Sequence, residues 1–519
     1  MTLESLAPAL LIGSVIVLIS ILGVRLAGRL GVPGLLLYLV LGLALGYVFS
    51  DIRVTDAQLT TVLGYSALAL ILAHGGLTTR VSALKSVMWP AITLASLGVV
   101  VSISAVAFTL VLFAGLDVQR AVLLGAVLAA TDAAAVFSVM RSLRVSPRLR
   151  SVLEAEAGFN DAPVVVLVSI VASGELGSAP WWQVAGLIAG EIAGGVAVGF
   201  LVGFAARWLL PRLALPAVGL YPIAALALLI GAYAVADVLH VSGFMAVYLA
   251  GVLLGSASRL PHRRSIMGFA DGLSWVAEIG LFVMLGLFAD VSRLPEALGI
   301  AAVAGLALVL LARPLAAIMS LAPFRWAWPE IAFASVAGLR GAVPIVFAAI
   351  PLSLGVEGSE LVFDATFIIV LALLIAQTPA LGALARRLGL ALPDQVSELE
   401  LESAPLDGMG ALVLGVDVPA GSGLVGVFVS ELGLPHGSVM SLIVRGHEAL
   451  AIDEYSRIRS GDQLVIVSTE AARQATEARL RAVGRDGRLT AWVQPQERPP
   501  RSSTGQPRPR RPPDASLAP

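Results

Sequence analysis

Between residues 6 and 384 the sequence divides into thirteen predominantly apolar runs, near 6–24, 32–50, 59–78, 88–115, 120–140, 152–173, 182–206, 217–238, 241–257, 267–289, 296–321, 329–352 and 362–384. A helix rises about 1.5 Å per residue, so about 20 apolar residues cross the ~30 Å hydrocarbon layer of a bilayer. Inside lipid each backbone N–H and C=O must find a partner within the protein, which makes helices the expected form of such runs. Charge content agrees, because 13% of the residues are charged where soluble domains carry roughly 25%. Nothing basic precedes the first run, so it is expected to remain as a span rather than be removed as a secretory signal. The chain contains no cysteine, which excludes disulfides, thiol metal sites and a cysteine nucleophile.

The connecting loops test the count. Cytoplasmic loops are enriched in Lys and Arg. Loops after odd-numbered runs hold sixteen basic residues, among them Arg80, Lys85, Arg148 and Arg150, whereas loops after even-numbered runs hold three, Arg53, Arg120 and Arg293. The expectation is an all-α polytopic protein of the bacterial inner membrane with about 13 transmembrane helices, the N-terminus outside and the C-terminus in the cytoplasm. Runs 1–6 and 8–13, separated by a linker run, have the offset of an inverted repeat. Corresponding runs five and twelve are both interrupted, by Thr131-Asp132 and by Gly338-Leu-Arg340-Gly341-Ala-Val-Pro344. Paired interruptions of this kind point to the ion site of a transporter.

After the thirteenth run the character changes. The membrane part is assigned to 1–390, a polar acidic linker to 391–409, and a small α+β domain to 410–485. Within that domain β-type runs lie at 411–416, 441–445 and 463–467, followed by a helix at 470–483. The tail 486–519, rich in Pro, Arg and Ser, has the composition of a disordered segment.

An ionisable side chain within the bilayer costs at least about 2.5–3.5 kcal/mol on insertion scales, so its presence calls for a reason. The densest group is Glu154-Ala-Glu156-Ala-Gly-Phe-Asn160-Asp161 in run six. Glu156 and Asn160 share a helical face and Asp161 lies about 100° round. Deep burial disfavours a bare carboxylate, so Asp161 is expected to hold a proton or, in its place, one dehydrated monovalent cation. Mutual exclusion of the two is the minimum machinery for antiport, and exchange of one positive charge for another is electroneutral. The competing reading is a permanent ion pair between Asp161 and Arg340. Thr131 and Asp132 have two readings as well, coordination of a cation by an unwound helix or capping of its second half. Arg340 and Glu156 read as a structural ion pair. His74, Glu191, Glu278 and Arg313 are isolated intramembrane charges with no neighbouring cluster, and Glu154 reads as a helix N-terminal charge.

The motifs Thr131-Asp132, Glu-x-Glu-x-x-x-Asn160-Asp161 and Gly-Leu-Arg340-Gly-Ala-Val-Pro resemble those of the NhaP-type cation/proton antiporters, over residues 1–390. The resemblance implies that Asp161 alternates between cation and proton, that Asn160 organises the site, that Thr131 and Asp132 line it, and that Glu156 pairs with Arg340. It also implies a homodimer in which a core bundle shifts against a dimerisation bundle. Many sodium-exchanging relatives have oxygen ligands where this chain has Ala73-His74 and Ala157, which favours potassium. Ser430-Glu-Leu-Gly-Leu-Pro435, Ile443-Val-Arg445-Gly446 and Arg459-Ser-Gly461-Asp462-Gln-Leu resemble the TrkA C-terminal domain, a regulator that implies a small-molecule ligand.

The expected function is therefore K⁺/H⁺ antiport, with Na⁺(Li⁺)/H⁺ antiport as the alternative. A gated cation channel is a third reading, but no Thr-Val-Gly-Tyr-Gly filter is present. No enzyme activity, cofactor, nucleic-acid partner or metal beyond the transported cation is expected; the partners are lipid, the alkali cation, protons and a second copy of the chain.

Overall fold

The computed structural model describes residues 7, 11, 13–23, 33–49, 53–143, 145–174, 180–257, 260–391, 401–406, 411–419, 421–446, 448–453, 455–469 and 471–487. The chain forms two compact units, Met1–Leu392 and Pro393–Pro519. Among the described residues the first unit has eight helices long and apolar enough to cross a membrane, or nine when a bent pair counts as one. This is a multi-pass membrane protein.

Helices α1 (Gly13–Gly23), α2 (Gly34–Val48) and α3 (Ala57–Thr78) open the unit. Next, α4 (Val81–Thr93) runs through a π turn, Leu94–Gly98, into α5 (Val99–Thr109). The interrupted run five is two helices, α6 (Val118–Ala129) and α7 (Ala133–Ser142), followed by α8 (Pro147–Ala172). Then come α9 (Trp181–Leu209), α10 (Leu220–Val238), α11 (Gly243–Gly255) and α12 (Arg263–Phe288). Another π turn, Leu308–Ala312, joins α13 (Leu294–Ala307) to α14 (Arg313–Leu321). Run twelve is likewise split, into α15 (Trp328–Ala337) and α16 (Ala342–Ser353), bent by 49°. The last helix is α17 (Ser359–Arg387).

Side-chain caps set several starts. Asp56, Asp117, Ser146 and Ser242 accept hydrogen bonds from the first-turn N–H groups of α3, α6, α8 and α11. These donors have no helical partner, and in a membrane an unmet N–H is costly. Small residues then let helices touch backbone to backbone, as expected where lipid supplies no hydrophobic drive. Gly195 and Gly199 of α9 face the backbones of Ser242 and Ala246, while Gly251 and Gly255 of α11 face Ala73 and Leu77 of α3. Two bundles result: α2, α3 and α9–α12 pack mainly with one another, as do α4–α8 and α13–α17. They meet chiefly where α3 lies on α16 and α11 lies on α8.

The second unit is a five-stranded antiparallel sheet in the order β1-β2-β5-β3-β4, with strands β1 (Leu401–Leu406), β2 (Ala411–Asp417), β3 (Ser438–Arg445), β4 (Glu448–Ala451) and β5 (Asp462–Thr469). Helix α18 (Arg473–Asp486) buries Leu480 and Val483 with Leu414, Ile443 and Ile466. Strand β1 falls inside the stretch 391–409 read as linker, so the linker is shorter than the sequence suggested. Leu401-Glu-Ser-Ala-Pro-Leu carries almost no β-type residues, and the strand is made by pairing along β2. Edge strand β4 was also not foreseen. The tail reading lies outside the described residues from 488 onward.

Gly461 (φ +82°) makes the turn into β5 and Gly446 (φ +64°) the turn between β3 and β4, backbone conformations that suit glycine. Asp462 is buried and accepts hydrogen bonds from Arg445 Nε (2.7 Å), Arg445 Nη2 (2.8 Å) and the Arg459 N–H (2.7 Å). The Arg445 guanidinium holds its carboxyl below the usual carboxylate range. A depressed folded value means that the stabilisation is fully present above the unfolded pKa of about 3.9. It is lost as pH falls through the folded value. Asp462→Asn is expected to lower the stability of this unit by about 2–3 kcal/mol at neutral pH, the scale of hydrogen bonds to a charged group. Limited proteolysis of the full chain reads the effect; cleavage of this unit at the wild-type rate would contradict it.

Candidate site at the crossing of two broken helices

The breaks of α6/α7 and α15/α16 lie against each other. The Asp132 N–H donates to the Leu339 carbonyl at 3.0 Å, and the Ala342 N–H donates to Asp132 Oδ2 at 2.7 Å. The other carboxylate oxygen, Oδ1, accepts from the Ala135 N–H at 3.3 Å. One acidic side chain thus caps α7, which it precedes, and α16, from the opposite half of the sequence. Both N-terminal poles carry partial positive charge, so a single anion there is favourable to each. Of the two readings of Asp132, the capping one describes its observed bonds.

Gly338 and Gly341 give these groups their space. A Cβ at Gly341 would run into the Asp132 carboxylate, and one at Gly338 into the Arg313 guanidinium. Gly341→Ala is expected to destabilise the membrane unit by about 1–3 kcal/mol through overpacking. The monodisperse fraction after detergent extraction measures this, and an unchanged fraction would count against the tight crossing.

Asn160 repairs the first break from α8. Its amide nitrogen donates to Thr131 Oγ1 at 2.8 Å and to the Ala129 carbonyl at 3.4 Å, while its Oδ1 accepts from the Thr131 N–H at 3.3 Å. The Thr131 N–H and the Ala129 carbonyl, freed by the unwinding, therefore regain partners. The next residue, Asp161, is 1% exposed, and among the described residues neither carboxylate oxygen has a hydrogen-bond partner. Among the described residues no Arg or Lys nitrogen lies within ion-pair distance of it. The permanent Asp161–Arg340 pair, the competing sequence reading, is not present. Burial without a protein donor disfavours the bare anion at this position.

The structure corrects the expected Glu156–Arg340 pair. Glu156 Oε1 instead meets Arg313 Nη1 at 2.6 Å, both side chains being buried. Arg313 Nη2 also donates to the Ala334 carbonyl at 3.2 Å. Arg313 leaves the π turn at Leu308–Ala312, and π turns concentrate at functional positions. It was passed over because its partner is 157 positions away in sequence. The available signal was Arg313-Pro314 in the middle of an apolar run, where a cation needs a counter-charge. Arg340 is buried in the α15/α16 break, within electrostatic reach of Arg313 and Glu156, with none of its side-chain nitrogens hydrogen-bonded.

The other intramembrane charges disperse. His74 Nε2 lies 3.4 Å from Asp271 Oδ1, and Glu154 pairs with Arg150 at 2.6 Å. Glu278 is buried in α12. Glu191 lines a cavity of about 240 Å³ with Tyr65, Tyr233, Asp237 and Phe244. The site therefore gathers Thr131, Asp132, Asn160 and Asp161, with Glu156 and Arg313 beside them. No group of three or more metal-ligating side chains occurs among the described residues.

Residues 14–387 match the family model described as sodium/hydrogen exchanger, transmembrane. The chain is 34% identical over 475 residues to the K(+)/H(+) antiporter NhaP of Alkalimonas amylolytica, covering 90% of this chain and 82% of that one. It is 31% identical over 485 residues to the K(+)/H(+) antiporter NhaP2 of Shewanella sp. (strain MR-4), covering 92% and 83%. Among solved structures, that of the sodium proton antiporter MjNhaP1 from Methanocaldococcus jannaschii at pH 8 superposes with a TM-score of 0.64 at 24% identity, over 74% of this chain and 99% of that one.

Proposed function

Because the chain belongs to the sodium/hydrogen exchanger family, we propose that it is a K⁺/H⁺ antiporter that exchanges the two ions by turns at Asp161. The observation that carries this reading is the buried Asp161 carboxylate with both oxygens free of hydrogen bonds. In one state it holds a proton. In the other the proton leaves and one alkali cation takes its place, with Thr131 oxygen beside it and the Asn160 amide holding that oxygen in position. Asp132, which accepts backbone N–H bonds, lines the site with oxygen lone pairs still able to face the cation, while Glu156, bonded to Arg313, fixes the surroundings. One charge replaces another, so the exchange is electroneutral.

Potassium is favoured by the names of the chain-wide relatives. It is also favoured by two places that offer no oxygen, the buried Ala73 and Ala157, since a weakly hydrated cation needs fewer tight ligands. Na⁺/H⁺ exchange is the second reading, supported by the family's description as sodium/hydrogen exchangers. In inverted vesicles with a dye-reported pH gradient, K⁺ is expected to dissipate the gradient at concentrations where Na⁺ does not. The reverse order would transfer the assignment to sodium.

The finer architecture belongs to the same reading. It has thirteen spans with inverted repeats, in which α6/α7 and α15/α16 are counterparts, the N-terminus outside and the C-terminus in the cytoplasm of the inner membrane. The molecule works as a homodimer, with the bundle of α4–α8 and α13–α17 moving against the other. The second unit is a TrkA-C-like regulator that binds a small molecule. The protein is a transporter and not an enzyme.

A further inference from the structure

Helix α8 passes two cavities, one on either side of Asp161. Near its start, Arg150, Ser151 and Glu154 line a cavity of about 170 Å³ together with Thr78, Thr79 and Arg80. Near its end, Val165, Val166 and Ser169 line the cavity of about 240 Å³ that also contains Glu191, Asp237 and Phe244. At about 1.5 Å per residue, Asp161 lies about 10 Å along the helix from Glu154 and about 6 Å from Val165. It nevertheless reaches neither cavity, being 1% exposed.

One aromatic side chain lies on the stretch of α8 between Asp161 and the first cavity. Tyr248 of α11 is fully buried and stands edge-on to Phe159, with ring centroids 5.8 Å apart and planes at 87°. Its ring lies on Gly158, where an added Cβ would come within 2.7 Å of the ring carbon that bears the hydroxyl. Gly158 is the position on α8 between Glu154 and Asp161. The Tyr248 hydroxyl lies within side-chain reach of Thr79, with the Glu154 carboxylate nearby, and both belong to the wall of the first cavity. The ring and its hydroxyl thus stand between this polar wall and the α8 backbone at Gly158.

We propose that the Tyr248 ring is the barrier that separates Asp161 from the cavity formed by Thr79, Ser151 and Glu154, and that its withdrawal from Gly158 opens Asp161 to that face of the membrane. The bundles meet at this contact, α11 belonging to one and α8 to the other. A relative shift that slides Tyr248 off Gly158 opens the path without any rearrangement inside either bundle. The glycine is what makes the closed state tight, since no side chain holds the ring away from the helix.

The proposal rests on Asp161 as the exchange site, and its test keeps the two claims apart. The chain has no cysteine, so a single introduced thiol is the only one that reacts. Asp161→Cys is labelled with a membrane-impermeant maleimide from each face of the vesicle, and Ser151→Cys identifies the face onto which the first cavity opens. With Tyr248 present, labelling of Asp161→Cys is expected to be slow from both faces. Tyr248→Ala is expected to raise the rate at least about tenfold from the face that reaches Ser151→Cys, and to leave the other unchanged. Tyr248→Phe, which keeps the ring, is expected to leave it slow. If Tyr248→Ala is not recovered from membranes, Tyr248→Leu carries the same expectation. An unchanged rate, an equal rise from both faces, or a rise in Tyr248→Phe as large as in Tyr248→Ala would overturn the proposal. Labelling needs no transport, so failure of Asp161 as the exchange site would appear separately, as ion exchange that survives Asp161→Asn.

Discussion

Asp161→Asn is expected to lower K⁺-dependent dissipation of a pH gradient by at least about 100-fold, equivalent to about 2.7 kcal/mol of lost driving interaction, while the protein remains in the membrane at its wild-type level. The asymmetry follows from the bonding. The Asp161 oxygens accept no hydrogen bond, so the isosteric amide leaves no protein donor stranded. What disappears is the group that can release a proton and present a negative charge. An amide remains neutral throughout the cycle and has nothing to trade for a cation. Exchange in the variant near the wild-type rate would remove Asp161 from its role, and loss of the protein from the membrane would mean that the side chain is structural.

The second large effect concerns folding. Arg313→Ala is expected to cost about 3–5 kcal/mol, because it leaves the Glu156 charge buried without its partner. The Arg313–Glu156 contact is 2.6 Å long between side chains 6% and 2% exposed, so water cannot substitute. The stability of a membrane domain is of the same order as this loss, and the expected outcome is little recoverable protein. Arg313→Met combined with Glu156→Leu removes both charges and is expected to restore much of the yield, since an apolar pair of similar volume can replace a buried ion pair at little cost. Size-exclusion profiles of the three proteins measure this. A double variant as unstable as Arg313→Ala would assign the effect to packing rather than to the stranded charge.

Much of the membrane unit was legible because the bilayer imposes a length and an apolar composition on each span, and both are written along the sequence. The interruptions at Thr131-Asp132 and Gly338–Gly341 were legible for the same reason, polar and glycine residues being out of place in such runs. Pairing was not legible. Glu156 had two arginines within the membrane to choose from, and nothing in the linear order favours Arg313 over Arg340. The choice depends on the π turn at Leu308–Ala312, which has no sequence signature of its own. That Asp132 can cap α7 is readable from its place beside Thr131, but that it also caps α16 follows only from the crossing. In the second unit β2, β3 and β5 alternate visibly. Strand β1 does not, because the pairing that creates it depends on β2 and not on its own residues.

The shared cap at Asp132 has a bearing on how the chain is made. Its partner N–H at Ala342 lies 210 positions further on, and at about 5–20 residues per second the ribosome needs roughly 10–40 s to deliver it. Over that interval α6 and α7 sit in the membrane with their junction unfinished, one carboxylate oxygen waiting for a donor not yet synthesised. A nascent chain released before residue 338 is therefore expected to be a substrate for membrane proteases, and one released after the crossing has formed to persist. Quality control of this protein is thus timed by its second broken helix, which completes the first.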